Sequence, residues 1–276
     1  MKYLKFNFLF LSFIFFSLAA NAAISNQDMA NVINKAGKQR MLTQKMTKEV
    51  MFITLNIDVE INQEELEATI ELFDKTLNGL INGDSYLGLV KTENADISAK
   101  LKEVENLWKP FQEKVTAVLK GDMSPDVLAA INQQNVPLLK KMNEAVQAYE
   151  KEGGSLFEPK LANVINKAGK QRMLIQKMTK ELLLVAKGIE AEANKTNLTS
   201  SVAEFEKVLT ELSANSINES IASQLKKVQK KWAKYKPILD TVDISETALK
   251  KVDKLSLSLY RAMNKAVQLY ANSVTN

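Results

Sequence analysis

Arg40 stands where a leucine is expected. Placed on a helix at about 100° per residue, Met29, Ile33, Ala36, Thr47 and Met51 fall on one apolar stripe, and Arg40 falls in its middle. A guanidinium buried without a partner costs several kcal/mol, and no acid lies one turn away on its face. Its neighbours on the stripe are Gly37 and Gln44. Glycine inside a helix costs about 1 kcal/mol relative to alanine, and in return it lets another backbone or a ligand come close. Arginine, glycine and glutamine together form a polar pocket suited to a small planar anion, which a guanidinium holds through two parallel hydrogen bonds. The other reading of the same residues is an arginine paired with a carboxylate from a different helix, or one that snorkels to the bundle edge. The chemistry alone leaves both open.

The trio recurs as Arg172, Gly169 and Gln176, with Arg172 among Ile165, Ala168, Thr179 and Leu183. It recurs because a block of twenty residues occurs twice, from Ala30 to Glu49 and from Ala162 to Glu181, with Thr43 against Ile175 as its one difference. The flanks have drifted: Leu66 to Leu80 and Leu198 to Leu212 share five of fifteen positions. Cores tolerate volume-conserving swaps, so packing alone does not hold a block fixed while its surroundings change. A shared ligand or a mutual contact does; recent gene conversion is the competing account.

Composition removes most other chemistry. The chain has no cysteine and no histidine, which excludes disulfides, thiolate and imidazole metal ligands, cysteine nucleophiles and every imidazole-dependent triad. No metal site, cofactor or catalytic residue is expected. The remaining enzymatic route is paired carboxylates, and no acid stands out from the solvated faces, so the chain is read as a non-enzyme. Met41, Met46, Met173 and Met178 read as core filler. Lysine runs such as Lys226-Lys227 and Lys230-Lys231 read as solvated helix faces, and nucleic acid is not an expected partner.

The elements that must position the arginines follow from the pattern. Lys2 and Lys5, the apolar stretch Phe6 to Leu18 and the small-residue site Ala20-Asn21-Ala22 read as a signal peptide over residues 1–22. The mature chain is then expected to be periplasmic or secreted. Beyond it, apolar residues recur at three- and four-residue spacing with few glycines and prolines, which predicts an all-α chain. Asn82-Gly83-Asp84, Gly121 with Ser124-Pro125, and Gly153-Gly154 mark helix ends, and Ser155 with Glu158 offers a capping box ahead of Pro159. Helices are predicted near 26–57, 62–82, 93–120, 125–151, 158–193, 197–214, 217–241 and 246–272. Short connections predict two tandem antiparallel four-helix bundles, residues 23–152 and 155–276. Matches at Phe73/Phe205, Trp108/Trp232 and Met142/Met263 trace the repeat through both units and place an eight-residue loss near the second-to-third helix connection and a three-residue loss near the next.

The duplicated block also resembles a known family. Ala36-Gly37-Lys38-Gln39-Arg40-Met41 and Ala168-Gly169-Lys170-Gln171-Arg172-Met173 are similar to the first-helix signature of the PilJ/NarX-type sensor domain, and the spacing of Phe73, Trp108 and Tyr149 is similar too. That domain forms the periplasmic end of type IV pilus chemotaxis transducers and of nitrate/nitrite sensor kinases. The resemblance covers both units. It implies four-helix bundles whose first helices meet across a two-fold axis, with an anion between Arg40 and Arg172 beside Gly37 and Gly169. Such sensors carry one domain, membrane spans and a cytoplasmic signalling part. Here two domains occur and the sequence ends at Asn276, so the expectation is binding without transmembrane signalling by this chain itself.

Two functions are therefore carried forward. The first is an exported sensory protein that binds a small oxyanion, nitrate or nitrite foremost, between the first helices of its two repeats, as a monomer with internal pseudo-two-fold symmetry, and presents it to a membrane chemoreceptor or sensor kinase. The second is a ligand-free helical module that docks on the sensor domain of such a receptor.

Overall fold

The computed structural model describes residues 24–274. They form eight helices: α1 (Asn26–Thr54), α2 (Val59–Asn82), α3 (Ala95–Leu119), α4 (Pro125–Leu156), α5 (Pro159–Lys187), α6 (Ala191–Ala214), α7 (Glu219–Asp240) and α8 (Glu246–Ala271). Among the described residues there is no strand, only an isolated bridge between Asp84 and Leu89. The proposed signal peptide lies outside them. Helices α1 to α4 pack in sequence around one bundle and α5 to α8 around a second, and the two bundles meet chiefly through α1 and α5.

Helices α1, α3, α7 and α8 start where the sequence supplies a side-chain cap. Ser25 Oγ accepts the Asp28 amide at 3.1 Å, Asn94 accepts those of Asp96 and Ile97, Asn218 that of Ile221 and Ser245 that of Ala248. Such caps satisfy amide groups that the first turn leaves without partners. Between α2 and α3, and between α6 and α7, one aromatic stack does much of the joining. Phe73 lies 4.3 Å from Trp108 and Phe205 lies 4.4 Å from Trp232, centroid to centroid. Each indole also donates to an acid on the neighbouring helix, Asp74 at 2.9 Å and Glu206 at 3.2 Å.

Several boundaries differ from expectation. Gly153 and Gly154 do not end a helix; α4 runs through them to Leu156. The reason lies in packing, since a Cβ at Gly153 would meet Ile33 Cδ1 at 2.7 Å and Met29 Cγ at 3.2 Å. The glycine makes room for α1, and the division expected at 152–155 falls inside the last turns of α4. The capping box is not formed, because Ser155 is helical and its hydroxyl donates to the Glu152 carbonyl at 2.6 Å. Pro159 does open α5. The eight-residue loss is in the expected connection, but the three-residue loss is not in a loop. It shortens α7 to 22 residues against 25 in α3.

The first helices also end earlier than periodicity suggests. At α5 the Gly188 amide donates to the Val185 carbonyl and the Ile189 amide to that of Leu184, with Gly188 at φ +76°. This is the paired-bond helix stop that a left-handed residue permits. At α1, Asn56 at φ +58° makes the same closure, to Ile53, while Ile57 bonds back to Phe52. Asparagine tolerates this conformation better than most side chains but less well than glycine.

Replacing Gly188 with alanine should therefore destabilise the protein by about 1 kcal/mol, the cost of a Cβ in the left-handed region. Asn56→Gly should leave stability unchanged or raise it. Urea unfolding followed by circular dichroism checks both, and equal losses for the two changes would contradict the cap assignment.

Candidate functional site

The α1–α5 seam is where the duplicated blocks meet. The central part of each helix is covered on nearly all sides; from Gln39 to Ile53 every residue except Lys45 is buried. Arg40 and Arg172 lie on this seam, each 1 % exposed. Their environments repeat. Arg40 Nη1 donates to Asn143 Oδ1 on α4 at 2.8 Å, and Nη2 reaches across the seam to the Asn166 carbonyl on α5 at 3.3 Å. Arg172 Nη1 donates to Asn264 Oδ1 on α8 at 2.8 Å, and its Nη2 crosses to the Asn34 carbonyl on α1 at 3.0 Å. Each arginine is held by the fourth helix of its own bundle and the first helix of the other.

The two guanidiniums converge. A Cβ built on Gly37 would stand 3.4 Å from Arg40 Nη2 and 3.7 Å from Arg172 Nη2, and one on Gly169 would stand 3.6 Å from both. The glycines thus let two cations lie against the backbone where the helices cross. Among the described residues neither arginine forms an ion pair with a carboxylate, and both Nε atoms are buried without a partner. Asn34 Oδ1 and Asn166 Oδ1 are likewise unmatched. Burial and then the charge of Arg172 push Arg40 down to about 9, with Glu150 acting the other way. Burial pushes Arg172 down to about 10. Both remain cations at neutral pH, held in a place that disfavours charge.

Gln44 and Gln176 are not brought to this site. Gln44 Nε2 donates to Thr43 Oγ1 at 3.0 Å and to Asn135 Oδ1 at 2.9 Å, one turn further along α1. Gln176 makes no hydrogen bond to either guanidinium, and its Oε1 is buried without a partner. The residues that do hold the arginines are Asn143 and Asn264. They sit at the same place in the repeated segments Met142 to Tyr149 and Met263 to Tyr270, so the signal was there, as a repeated polar residue on an otherwise apolar helix face.

Further along the seam lie charges that the pattern places on solvated faces. Glu49 and Glu181 are buried, as are Lys48 and Lys180. Glu49 pairs with Lys45, which also bonds Glu65 and Thr69, and Glu181 pairs with Lys177 while accepting from Ser201. Lys48 lies over the Phe52 ring, 3.8 Å from Asp253 of the other bundle, and Lys180 donates to Asn135 of the other bundle at 3.1 Å. The expectation that no acid departs from the solvated faces is corrected by Glu49 and Glu181, because the central parts of α1 and α5 are wrapped by both bundles.

The family model described as the type IV pili methyl-accepting chemotaxis transducer N-terminal domain, PilJ, matches residues 22–134 and again 158–256. The chain belongs to this family. It holds two copies of the PilJ domain, and the family is a sensory part of chemotaxis transducers rather than an enzyme family. Methyl-accepting chemotaxis protein McpN of Pseudomonas aeruginosa is 27 % identical over 150 residues, covering 53 % of this chain and 28 % of its own length. No solved structure matches the chain. Among the described residues no helix is long and apolar enough to cross a membrane, and no group of acids, histidines or cysteines could hold a metal ion.

Lys180 yields a prediction for the seam. Burial pushes its ammonium down to about 8, whereas an unfolded lysine titrates at about 10.4. Between those values the unfolded chain binds the extra proton, so stability should rise with pH across that window. Lys180→Met should be more stable than the parent at pH 7 and should show a smaller rise, since Arg40 and Lys48, also pushed down by burial, remain. Asn135 Oδ1 keeps its bond from Gln44 in that variant. Thermal melts of both proteins from about pH 7 to pH 10 test this, and parallel curves would refute it.

Proposed function

We propose that the chain is a sensory binding protein of the PilJ family that takes one small oxyanion, nitrate or nitrite foremost, between Arg40 and Arg172. The observation that carries this reading is the pair of buried guanidiniums facing one another without a carboxylate, with their Nε donors unmatched. Two like charges in a low-dielectric seam repel each other. An anion between them turns both repulsion and desolvation into charge-assisted hydrogen bonding. A planar oxyanion offers acceptors in the plane that a guanidinium prefers.

Gly37 and Gly169 form the floor in this reading. Asn143 and Asn264 fix the approach of each guanidinium, while Gln44 and Gln176 belong to the neighbouring polar network rather than to the anion. The units taken as carrying the two halves are residues 23–152 and 155–276, with α4 bridging into the second. Both bundles contribute to one site, so ligand binding and bundle packing are coupled. Location in the periplasm, suggested by the family, would set such a protein beside the sensor domain of a membrane chemoreceptor or kinase that reads its loaded state.

A thermal-shift series with nitrate, nitrite, sulfate, phosphate and small carboxylates tests the proposal. A ligand at 100 times its dissociation constant adds about 2.7 kcal/mol, and nitrate or nitrite should give the largest shift. Arg40→Ala and Arg172→Ala should each abolish the shift while costing little stability in the absence of anion, because each removes a poorly compensated buried charge. Should no anion stabilise the parent protein, the ligand-free docking module is the better reading.

A further inference from the structure

The two repeats share a fold but not a surface charge. Residues 24–156 carry 15 lysines and arginines against 20 acids, whereas residues 157–276 carry 20 against 12. The difference is concentrated on two faces. On α2, Glu64, Glu65, Glu67 and Glu71 stand where the second copy has Thr196, Asn197, Thr199 and Ala203. Glu60, Glu64, Glu67 and Glu71 are exposed at the three- and four-residue spacing that makes one stripe.

The opposite change occurs on α7 and α8. In the first copy, Lys141 bridges Glu103 at 2.7 Å and Glu144 at 3.0 Å, so that face neutralises itself. The equivalent positions in the second copy are Ala262, Lys227 and Lys265. Together with Lys231, Lys254 and Arg261 these lysines line a groove of about 630 Å³ between α7 and α8 that has no acid in its wall. Lys231 donates to Ser258 at 2.5 Å, while Lys227, Lys254 and Lys265 form no ion pair among the described residues. A divergence that merely adjusted solubility would scatter its charges. This one removes a salt-bridged triad and leaves five cations facing one groove.

We propose that the acidic face of α2 in one copy of this chain seats in the basic α7–α8 groove of a second copy, and reciprocally, across a two-fold axis. Three features favour a second copy as the occupant. The stripe from Glu60 to Glu71 and the groove from Lys254 to Lys265 each span twelve residues, roughly 16 Å of helix from end to end, so their lengths match. The two elements flank the same stretch of α1, where Lys45 pairs with Glu65 of α2 at 2.6 Å and Lys48 lies 3.8 Å from Asp253 of α8. Adjoining patches of opposite sign on one side of a molecule are self-complementary under a two-fold rotation. Finally, the groove offers little apolar wall, Leu257 being half-buried and Ala262 buried. An amphipathic helix or a membrane wedge would find no anchor there, and stacked bases would find no aromatic ring. The internal pseudo-two-fold of each chain is untouched by this contact, and the anion site is not part of it.

Sedimentation velocity of the full chain tests the proposal. At about 20 mM salt a dimer is expected, and at about 0.5 M salt, where charges are screened over a few ångströms, a monomer. Lys227→Glu with Lys265→Glu should be monomeric at low salt, and so should Glu64→Lys with Glu67→Lys. An equimolar mixture of those two variants should regain a heterodimer, since both reciprocal contacts then pair opposite charges, one in the native sense and one with the signs exchanged. All four positions are exposed, and circular dichroism melts confirm that each variant folds. A parent chain that stays monomeric at low salt, a dimer indifferent to salt, or a mixture that fails to associate overturns the proposal.

Discussion

Two guanidiniums buried against each other govern this molecule. The middle of the seam must keep Arg40 and Arg172 charged although both are almost fully buried. The cost of placing ions there is several kcal/mol each. It is offset by two side-chain amides, Asn143 and Asn264, and two main-chain carbonyls, Asn166 and Asn34, all within 3.3 Å of a guanidinium nitrogen. Because each arginine bonds the opposite first helix, the bundles cannot separate without breaking both sets of bonds. The polar site is therefore also a point of contact between the repeats, set within the wider packing of α1 on α5.

The same arrangement accounts for the duplicated block. Each copy of the block is the other's packing partner, and each arginine's acceptor lies on the partner helix. A substitution in one copy must satisfy its own bundle and also the opposing surface, whereas α2 or α6 answers only to one bundle. Thr43 and Ile175 mark where that double constraint relaxes. Thr43 Oγ1 is tied within its own helix to the Arg40 carbonyl at 2.9 Å, a bond that asks nothing of α5, and isoleucine replaces it in the second copy with full burial.

Much of this was legible in the sequence because periodicity places a residue on a face without knowing what covers that face. Arg40 and Gly37 were found in this way, as a charge and a gap on an apolar stripe, and the structure brings both copies together at the expected seam. What periodicity lacks is the number of covered sides. Lys45 and Glu49 look solvated opposite Arg40, yet α1 is enclosed by its own bundle on one side and by α5 and α8 on the other. Gln44 shares the stripe but sits one turn on, where Asn135 captures it. Gly153 reads as a helix end for a related reason. A glycine that ends a helix and one that admits a neighbouring side chain have the same letter, and only the position of Ile33 decides between them.

Fusing the two halves in one chain permits an asymmetry that a two-fold homodimer cannot have. Glu150 on α4 accepts from Asn163 at 2.7 Å and from Asn166, the residue whose carbonyl receives Arg40. The equivalent position on α8 is Ala271. One carboxylate thus braces one side of the arginine pair and its field acts on Arg40, while Arg172 has no such support. In a symmetric dimer the same glutamate would appear twice and would bring two negative charges beside two positive ones, cancelling the positive field of the pair. A single copy fixes the geometry at one end and leaves the pair with net positive charge. The repeat holds its two cations in matching positions, and the one unmatched acid keeps their surroundings unequal.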